Sequence, residues 1–306
     1  MSRFSRIVVA FLILLAAAYY WLLVNRGQPA LPGRSIDIAA LRKASDAMPG
    51  EKPTGLEYAI IATRRIPGAA LAAGTGLRPI SSGVVVWRIV TPRGGIVIDS
   101  GLSRNDAASM GFKEYDGRAM ALAGRWMEQA ELLLFTHEHV DHVGGFLDHQ
   151  PFQAVAGKAV LSPRMLQGMN ALWRENARLL PPPRLAEPVQ PVAPGVVLVA
   201  TPGHTPASQM IYVRLADGRE YLFAGDTASL RANYEIPTPR SRLVADWLAP
   251  EDRPVAFAWL DALKRLKARH EALVIVPSHD PDWIAATAAK AGFSRLPAPA
   301  KTLSVN

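Results

Sequence analysis

Residues 136–145 read Thr-His-Glu-His-Val-Asp-His-Val-Gly-Gly. Four side chains able to hold a metal ion, His137, His139, Asp141 and His142, crowd into one short stretch. The apolar run Leu132–Phe135 before them predicts a strand. A loop leaving a strand lets His137 and His139, two positions apart, point alike. Asp141 and His142 then turn toward a second position as a helix begins. Gly144 and Gly145 allow the backbone to approach a neighbour without a Cβ clash. The chain contains no cysteine. Disulfides, thiol nucleophiles, iron–sulfur clusters and thiolate zinc sites are therefore excluded. Imidazole and carboxylate remain, and both suit zinc.

The N-terminus carries a different signal. Ile7–Val24 is an unbroken apolar run without charge. As a helix it spans roughly 27 Å, close to the thickness of a bilayer core. Arg3 and Arg6 precede it, which favours a cytoplasmic N-terminus with the rest of the chain outside, on the periplasmic side if the cell is bacterial. Tyr19, Tyr20 and Trp21 suit an interface. A cleaved signal peptide followed by secretion is the alternative, but Tyr-Tyr-Trp-Leu-Leu-Val after Ala16–Ala18 makes a poor cleavage site. The expected organisation is an anchor or signal segment (1–25), a Pro-containing tether (26–55), a globular domain (56–295) and a tail (296–306). Of 306 residues, 49% are hydrophobic and 20% charged, enough for one sizeable core. The net charge of +8 comes without a long basic run or a nucleic-acid motif, so no nucleic-acid partner is expected.

Within the domain, Glu57–Arg64, Val84–Val90, Ile96–Ile98, Val196–Ala200, Gln209–Arg214, Glu220–Phe223 and Ala272–Val276 read as strands. Gly117–Gln129, Arg164–Leu179, Val255–Arg269 and Asp282–Lys290 read as helices, with a short one around Ile36–Ala47. Pro67–Ser82, rich in Gly, Ala and Pro, reads as a long loop that could wall a site. Arg231, Arg240 and Arg242 read as a solvated basic face that could otherwise receive an anionic group.

His-x-His-x-Asp-His followed by Gly-Gly resembles the signature of the metallo-β-lactamase superfamily. Further segments match its motifs in order: Asp99-Ser100-Gly101 after a strand, Thr201-Pro202-Gly203-His204-Thr205, Gly225-Asp226-Thr227 and Pro277-Ser278-His279-Asp280. The resemblance implies an α+β fold, a four-layer αββα sandwich with metals at one edge. It implies that His137, His139 and His204 hold one Zn²⁺, that Asp141, His142 and His279 hold a second, and that Asp226 bridges them. Other divalent metals could occupy such sites. Asp99 is expected to hold a ligand in place rather than bind metal. His149 and His270 match nothing.

In such a site a hydroxide between the metals attacks a carbonyl of a small-molecule substrate, and Asp141 is the candidate proton shuttle. The stretch Thr201–Gln209, Asn233-Tyr234-Glu235 and Leu263–Lys267 are similar to the N-acyl homoserine lactonase branch, which implies a lactone or related ester. That branch has a substrate-polarising tyrosine three residues after the bridging aspartate. Ser229 stands there instead, and Tyr234 is the candidate replacement. β-Lactamases of the family carry Cys or Ser at the position of Asp226, or lack the bridging aspartate, which argues against that activity. β-Lactamase, glyoxalase II-like thioesterase and phosphodiesterase activities on the same fold remain alternatives, as does a membrane-anchored metal-binding protein without turnover.

Overall fold

Two long segments, β1 (Gly55–Pro67) and β2 (Pro79–Val90), pair antiparallel along their whole length in the computed structural model, which describes residues 1–297. Successive residues on a strand face opposite ways, and here both directions are apolar. Val84 and Val86 on β2 face a cluster with the helices Gly117–Gln129 and Val140–Leu147. Val85, Trp87 and Ile89 face the other way, toward Leu198, Ile211 and Phe223 of a second sheet. This burial on both faces explains the near-continuous run Val84–Val90.

The first sheet adds β3 (Ile96–Ile98), β4 (Glu114–Tyr115), β5 (Leu132–Leu134) and β11 (Phe293–Arg295). Its strand order is β11-β1-β2-β3-β5, with β4 against β1. The second sheet contains β6 (Val189–Ala193), β7 (Val196–Ala200), β8 (Gln209–Arg214), β9 (Glu220–Phe223) and β10 (Val274–Val276), in the order β10-β9-β8-β7-β6. It alternates in the same manner. Leu198 and Ile211 face the first sheet, while Val197, Val199, Met210 and Tyr212 pack beneath helix Arg253–Arg269. The layers therefore run helix, sheet, sheet, helix, as expected.

The strand directions gather the functional loops. β3 runs parallel to β5, and β9 parallel to β10. β7 and β9 are both antiparallel to β8, so they run alike. The C-terminal ends of these five strands carry Asp99, the His137–His142 segment, His204, Asp226 and His279 to one edge of the sandwich. At the opposite end a 510 Å³ cavity separates Ile96 and Leu132 of the first sheet from Val192 and Ala193 of the second.

Two expectations change. Residues 67–82 are the end of the β1–β2 hairpin, closed by the short helix Gly68–Leu71; Ile66 pairs with Ile80, and Leu71 and Ala72 are buried against Leu230. The helix from Arg164 stops at Asn170; Trp173 beyond it takes a left-handed φ of 55°, and a short turn, Glu175–Leu179, follows. The short helix expected around Ile36–Ala47 forms over Ile38–Ser45, and its Ile38 and Leu41 are buried in the second sheet's outer core. Arg42 of that helix makes two 2.7 Å bonds to Glu220. Most of the expected tail, residues 298–306, lies outside the described residues.

The N-terminal apolar segment is helical over Arg3–Val24, with a mean hydropathy of 2.6 over its most apolar window and none of that window buried. It passes by length and composition as a membrane span, and a signal sequence would pass in the same way.

Candidate metal centre

Ring nitrogens converge at two neighbouring points on the metal edge. His139 Nδ1 lies 3.0 Å from His137 Nε2 and 3.1 Å from His204 Nε2. His142 Nε2 lies 3.3 Å from His279 Nε2, and Asp141 Oδ2 lies 3.5 Å from the latter. Asp226 stands between the groups. Its Oδ1 is 2.9 Å from His279 Nε2 and 3.5 Å from His142 Nε2. Its Oδ2 is 3.5 Å from His204 Nε2 and 3.8 Å from His137 Nε2. All seven candidate ligands thus come together, as one group of four (His137, His139, His204, Asp226) and one of three (Asp141, His142, His279).

Four of the five rings are fixed from behind. His142 Nδ1 meets Asp99 Oδ2 at 2.9 Å, and His204 Nδ1 meets Glu251 Oε2 at 3.0 Å. His279 Nδ1 meets the Gly83 carbonyl at 2.8 Å, and His137 Nδ1 meets Thr136 Oγ1 at 3.2 Å. A carboxylate or carbonyl there accepts the hydrogen bond of an Nδ1–H and so leaves the Nε2 lone pair facing the cluster, which is the arrangement a metal-binding histidine needs. The donor set therefore fits two divalent cations.

Local backbone builds these positions. Asp99 has a φ of 58°, a left-handed conformation that Asp tolerates better than most residues. Its carboxylate accepts from Thr136 N (2.8 Å) and Thr136 Oγ1 (2.9 Å) besides meeting His142. Gly145 N donates to Gly101 O at 2.9 Å, and a Cβ on Gly145 would collide with the Ser100 carbonyl oxygen. The His279 loop is stitched to β2 in both directions, since Gly83 N also donates to His279 O at 3.3 Å. Gln209 of the second sheet donates from its amide to Thr136 O (2.8 Å) and from its side chain to Phe135 O (2.7 Å).

The electrostatics separate the two groups. Burial, together with the charge of His142, holds His137 well below the usual imidazole range. Burial and Arg240 do the same for His204, and burial lowers His139. Neutral imidazoles with free lone pairs result. Burial also opposes a charge on His142, but Asp99, Asp141 and Asp226 outweigh it and raise its pKa well above the ordinary value. For Asp226 burial favours the neutral acid, yet His279, Arg240, His142 and His137 push its pKa well below the carboxylate range.

Two charged residues enter that the sequence did not mark for this role. Arg240 is buried, unlike the solvated residue expected. It donates to Asp226 Oδ2 at 2.5 Å and to Ser229 Oγ at 2.8 Å, and its Nη1 lies 2.7 Å from His204 Nδ1. Arg231 and Arg242 remain near the surface, paired with Glu235 and Asp246. Glu251, whose side chain is 2% exposed, is raised by burial to about 7. Tyr234 is not brought into either group. Its ring is in the core of the second sheet's outer face, and its hydroxyl donates to Ile275 O at 3.2 Å. His149 pairs with Glu128 at 3.2 Å, and His270 caps helix Arg253–Arg269.

Comparison with known proteins follows the same lines. Residues 76–279 match the Metallo-beta-lactamase superfamily profile. No curated protein sequence matches the chain. Among solved structures, a quorum-quenching N-acyl homoserine lactone lactonase is similar at 20% identity and a TM-score of 0.59, over 76% of this chain and 94% of that one. An N-acyl homoserine lactone hydrolase, with the product N-hexanoyl-L-homoserine at its catalytic metal centre, is similar at 19% identity and a TM-score of 0.60, over 77% and 96%. A probable metal-dependent hydrolase from Staphylococcus aureus is similar at 16% identity and a TM-score of 0.57, over 75% and 91%. These likenesses are of fold.

Proposed function

Because the chain belongs to the metallo-β-lactamase superfamily, we propose that it is a dinuclear metallohydrolase acting on a lactone or related ester. The position of Asp226 carries the reading, since its two oxygens face separate groups of ring nitrogens. His137, His139, His204 and Asp226 Oδ2 would hold one cation; His142, His279, Asp141 and Asp226 Oδ1 would hold the other. Zinc is the expected metal for this nitrogen and oxygen donor set. When bound, such a pair activates water near neutral pH and polarises the substrate carbonyl.

The chain's own residues then orient and move protons. Asp99, Glu251 and Gly83 hold the rings in their metal-facing orientation. Arg240 fixes Asp226 and offsets its charge. Asp141, beside His279, is the group that takes the proton from water and returns it to the leaving oxygen. Overall, the oxygen of water bonds to the carbonyl carbon, the acyl C–O bond breaks, the ring oxygen takes one of the water's protons and the other is released to solvent, leaving a carboxylate and an alcohol. The lactone preference is supported by the lactonase-like stretch Thr201–Gln209 and by the structural neighbours that act on N-acyl homoserine lactones.

Residues 3–24 are proposed as a membrane span, with the domain outside the cytoplasm. Metal analysis of the purified full-length protein, with a substrate panel, tests the function. Two metals per chain with lactone turnover, both diminished in Asp226→Ala, are expected. Stoichiometric metal with no hydrolysis of lactones, thioesters, β-lactams or phosphodiesters would overturn it.

A further inference from the structure

The N-terminal helix ends against the metal edge. Gly74 N donates to Leu23 O at 2.8 Å, and the Arg253 guanidinium donates to Asn25 O. Ala30 N donates to Pro254 O at 2.9 Å, and the Arg242 guanidinium lies 4.2 Å from the centre of the Trp21 ring. Contacts continue inward from there. Ala73, next to Gly74, donates to Pro239 O at 2.8 Å and accepts from Thr238 Oγ1 at 2.7 Å. Arg240, next to Pro239, reaches Asp226 at 2.5 Å. A short series of contacts thus joins the exit of the apolar helix to the carboxylate between the two groups of ring nitrogens.

The turn Leu243–Leu248, which follows Arg242, leaves Trp247 68% and Leu248 72% exposed. Trp21 and Tyr20 on the emerging helix are 52% and 58% exposed. Adjacent large apolar side chains left in water are costly unless another surface covers them. Indole and phenol rings beside the end of an apolar span favour the headgroup zone.

We propose that the metal edge of the sandwich faces the lipid surface, that Trp247 and Leu248 sit in its interfacial zone, and that the substrate is an amphiphile, an acyl-bearing lactone or ester taken from that surface. The inference rests on reading residues 3–24 as a span. It deepens the proposed function by placing the site where an acyl tail can stay in lipid while its carbonyl reaches the metals.

The absence of cysteine makes a clean test. Full-length protein in phosphatidylcholine/phosphatidylglycerol vesicles carries a polarity-sensitive thiol label through Leu12→Cys, Trp247→Cys or Trp173→Cys, the last at an 89% exposed position near the helices of the first sheet. The label at 12 is expected to be quenched by deep spin-labelled lipid and that at 247 by shallow spin-labelled lipid, with 173 remaining aqueous. If 12 is quenched while 247 is as aqueous as 173, the span stands and this inference falls. If all three are aqueous, the span itself falls and takes the inference with it. On vesicles, Trp247→Ser/Leu248→Ser is expected to lower the ratio of kcat/KM for a long-chain over a short-chain lactone about fivefold or more. An unchanged ratio would overturn the amphiphile assignment.

Discussion

Glu251 Oε2 lies 3.0 Å from His204 Nδ1, behind the ring whose other nitrogen faces His139 and Asp226. This pairing sets which nitrogen of His204 is free to bind metal. Replacing an outer partner of this kind commonly costs about 10–100-fold in metal affinity. Glu251→Gln is expected to weaken binding in the His137/His139/His204 group by that factor, measured by competition with a chromophoric chelator.

The same carboxyl gives the metal-free protein a pH dependence. Burial raises it from 4.5 to about 7. Between those values the folded chain keeps a proton that the unfolded chain has released. Its contribution is therefore fully present below pH 4.5 and is lost as pH rises through 7. At roughly 1.4 kcal/mol per pKa unit, the stability of the wild type relative to Glu251→Gln should fall by about 3 kcal/mol across that window. Urea unfolding of the chelator-treated proteins at several pH values checks it; a difference that stays level would exclude the raised carboxyl.

Arg240 is the buried counter-charge of Asp226. Breaking a buried pair by removing one partner typically costs about 3–5 kcal/mol. Arg240→Met should lose that much in the metal-free protein, whereas Arg240→Lys, which keeps charge but not the fork reaching both Asp226 and Ser229, should lose less. Denaturant midpoints rank the two.

Gly145 and Gly124 should respond oppositely to alanine. At Gly145 a Cβ meets the Ser100 carbonyl oxygen, so Gly145→Ala should destabilise by about 1–3 kcal/mol or more and displace His142, whose own carbonyl is bonded to Ser100 N at 2.7 Å. At Gly124, in a helix interior, the new Cβ finds only His149 at 3.7 Å. Gly124→Ala should gain up to about 1 kcal/mol from helix propensity. Calorimetry on both variants would expose any reversal of sign.

Tyr234→Phe separates packing from catalysis. The phenol's bond to Ile275 O is worth about 1 kcal/mol. That loss in stability is expected with no change in lactone turnover. A large fall in kcat without a fall in stability would restore Tyr234 to the reaction.

How much of this was legible in the sequence depended on range. His137, His139, Asp141 and His142 are local, because one strand end and one helix start place them all. His204, Asp226 and His279 are isolated in sequence and became legible only through family resemblance. Glu251 lies 47 positions from His204, and nothing near it in the chain foretells the contact. Arg240 sits between polar and basic neighbours that suggest solvent; its burial follows from the folding of 238–240 against Ala73. The strands of the two sheets were readable where alternate residues feed two cores. The end of β1 beyond Arg64 and the start of β2 were not, because Arg65 and Ile66 pair through their backbones with Ser81 and Ile80, which lie in a stretch whose Gly, Ala and Pro content reads as a loop.

The reciprocal bonds between Gly83 and His279, with those of Gln209 to Thr136 and Phe135, tie the two sheets together at the metal edge, while Ala216 N donates to Pro53 O at 2.8 Å and the Tyr221 hydroxyl to Ala291 O at 2.7 Å elsewhere between them. The other end holds the 510 Å³ cavity between Ile96, Leu132, Val192 and Ala193. The loop carrying His137 leaves the first sheet and is held by Gln209 of the second, while the loop carrying His279 leaves the second and is held by Gly83 of the first, so each sheet grips the ligands that the other supplies.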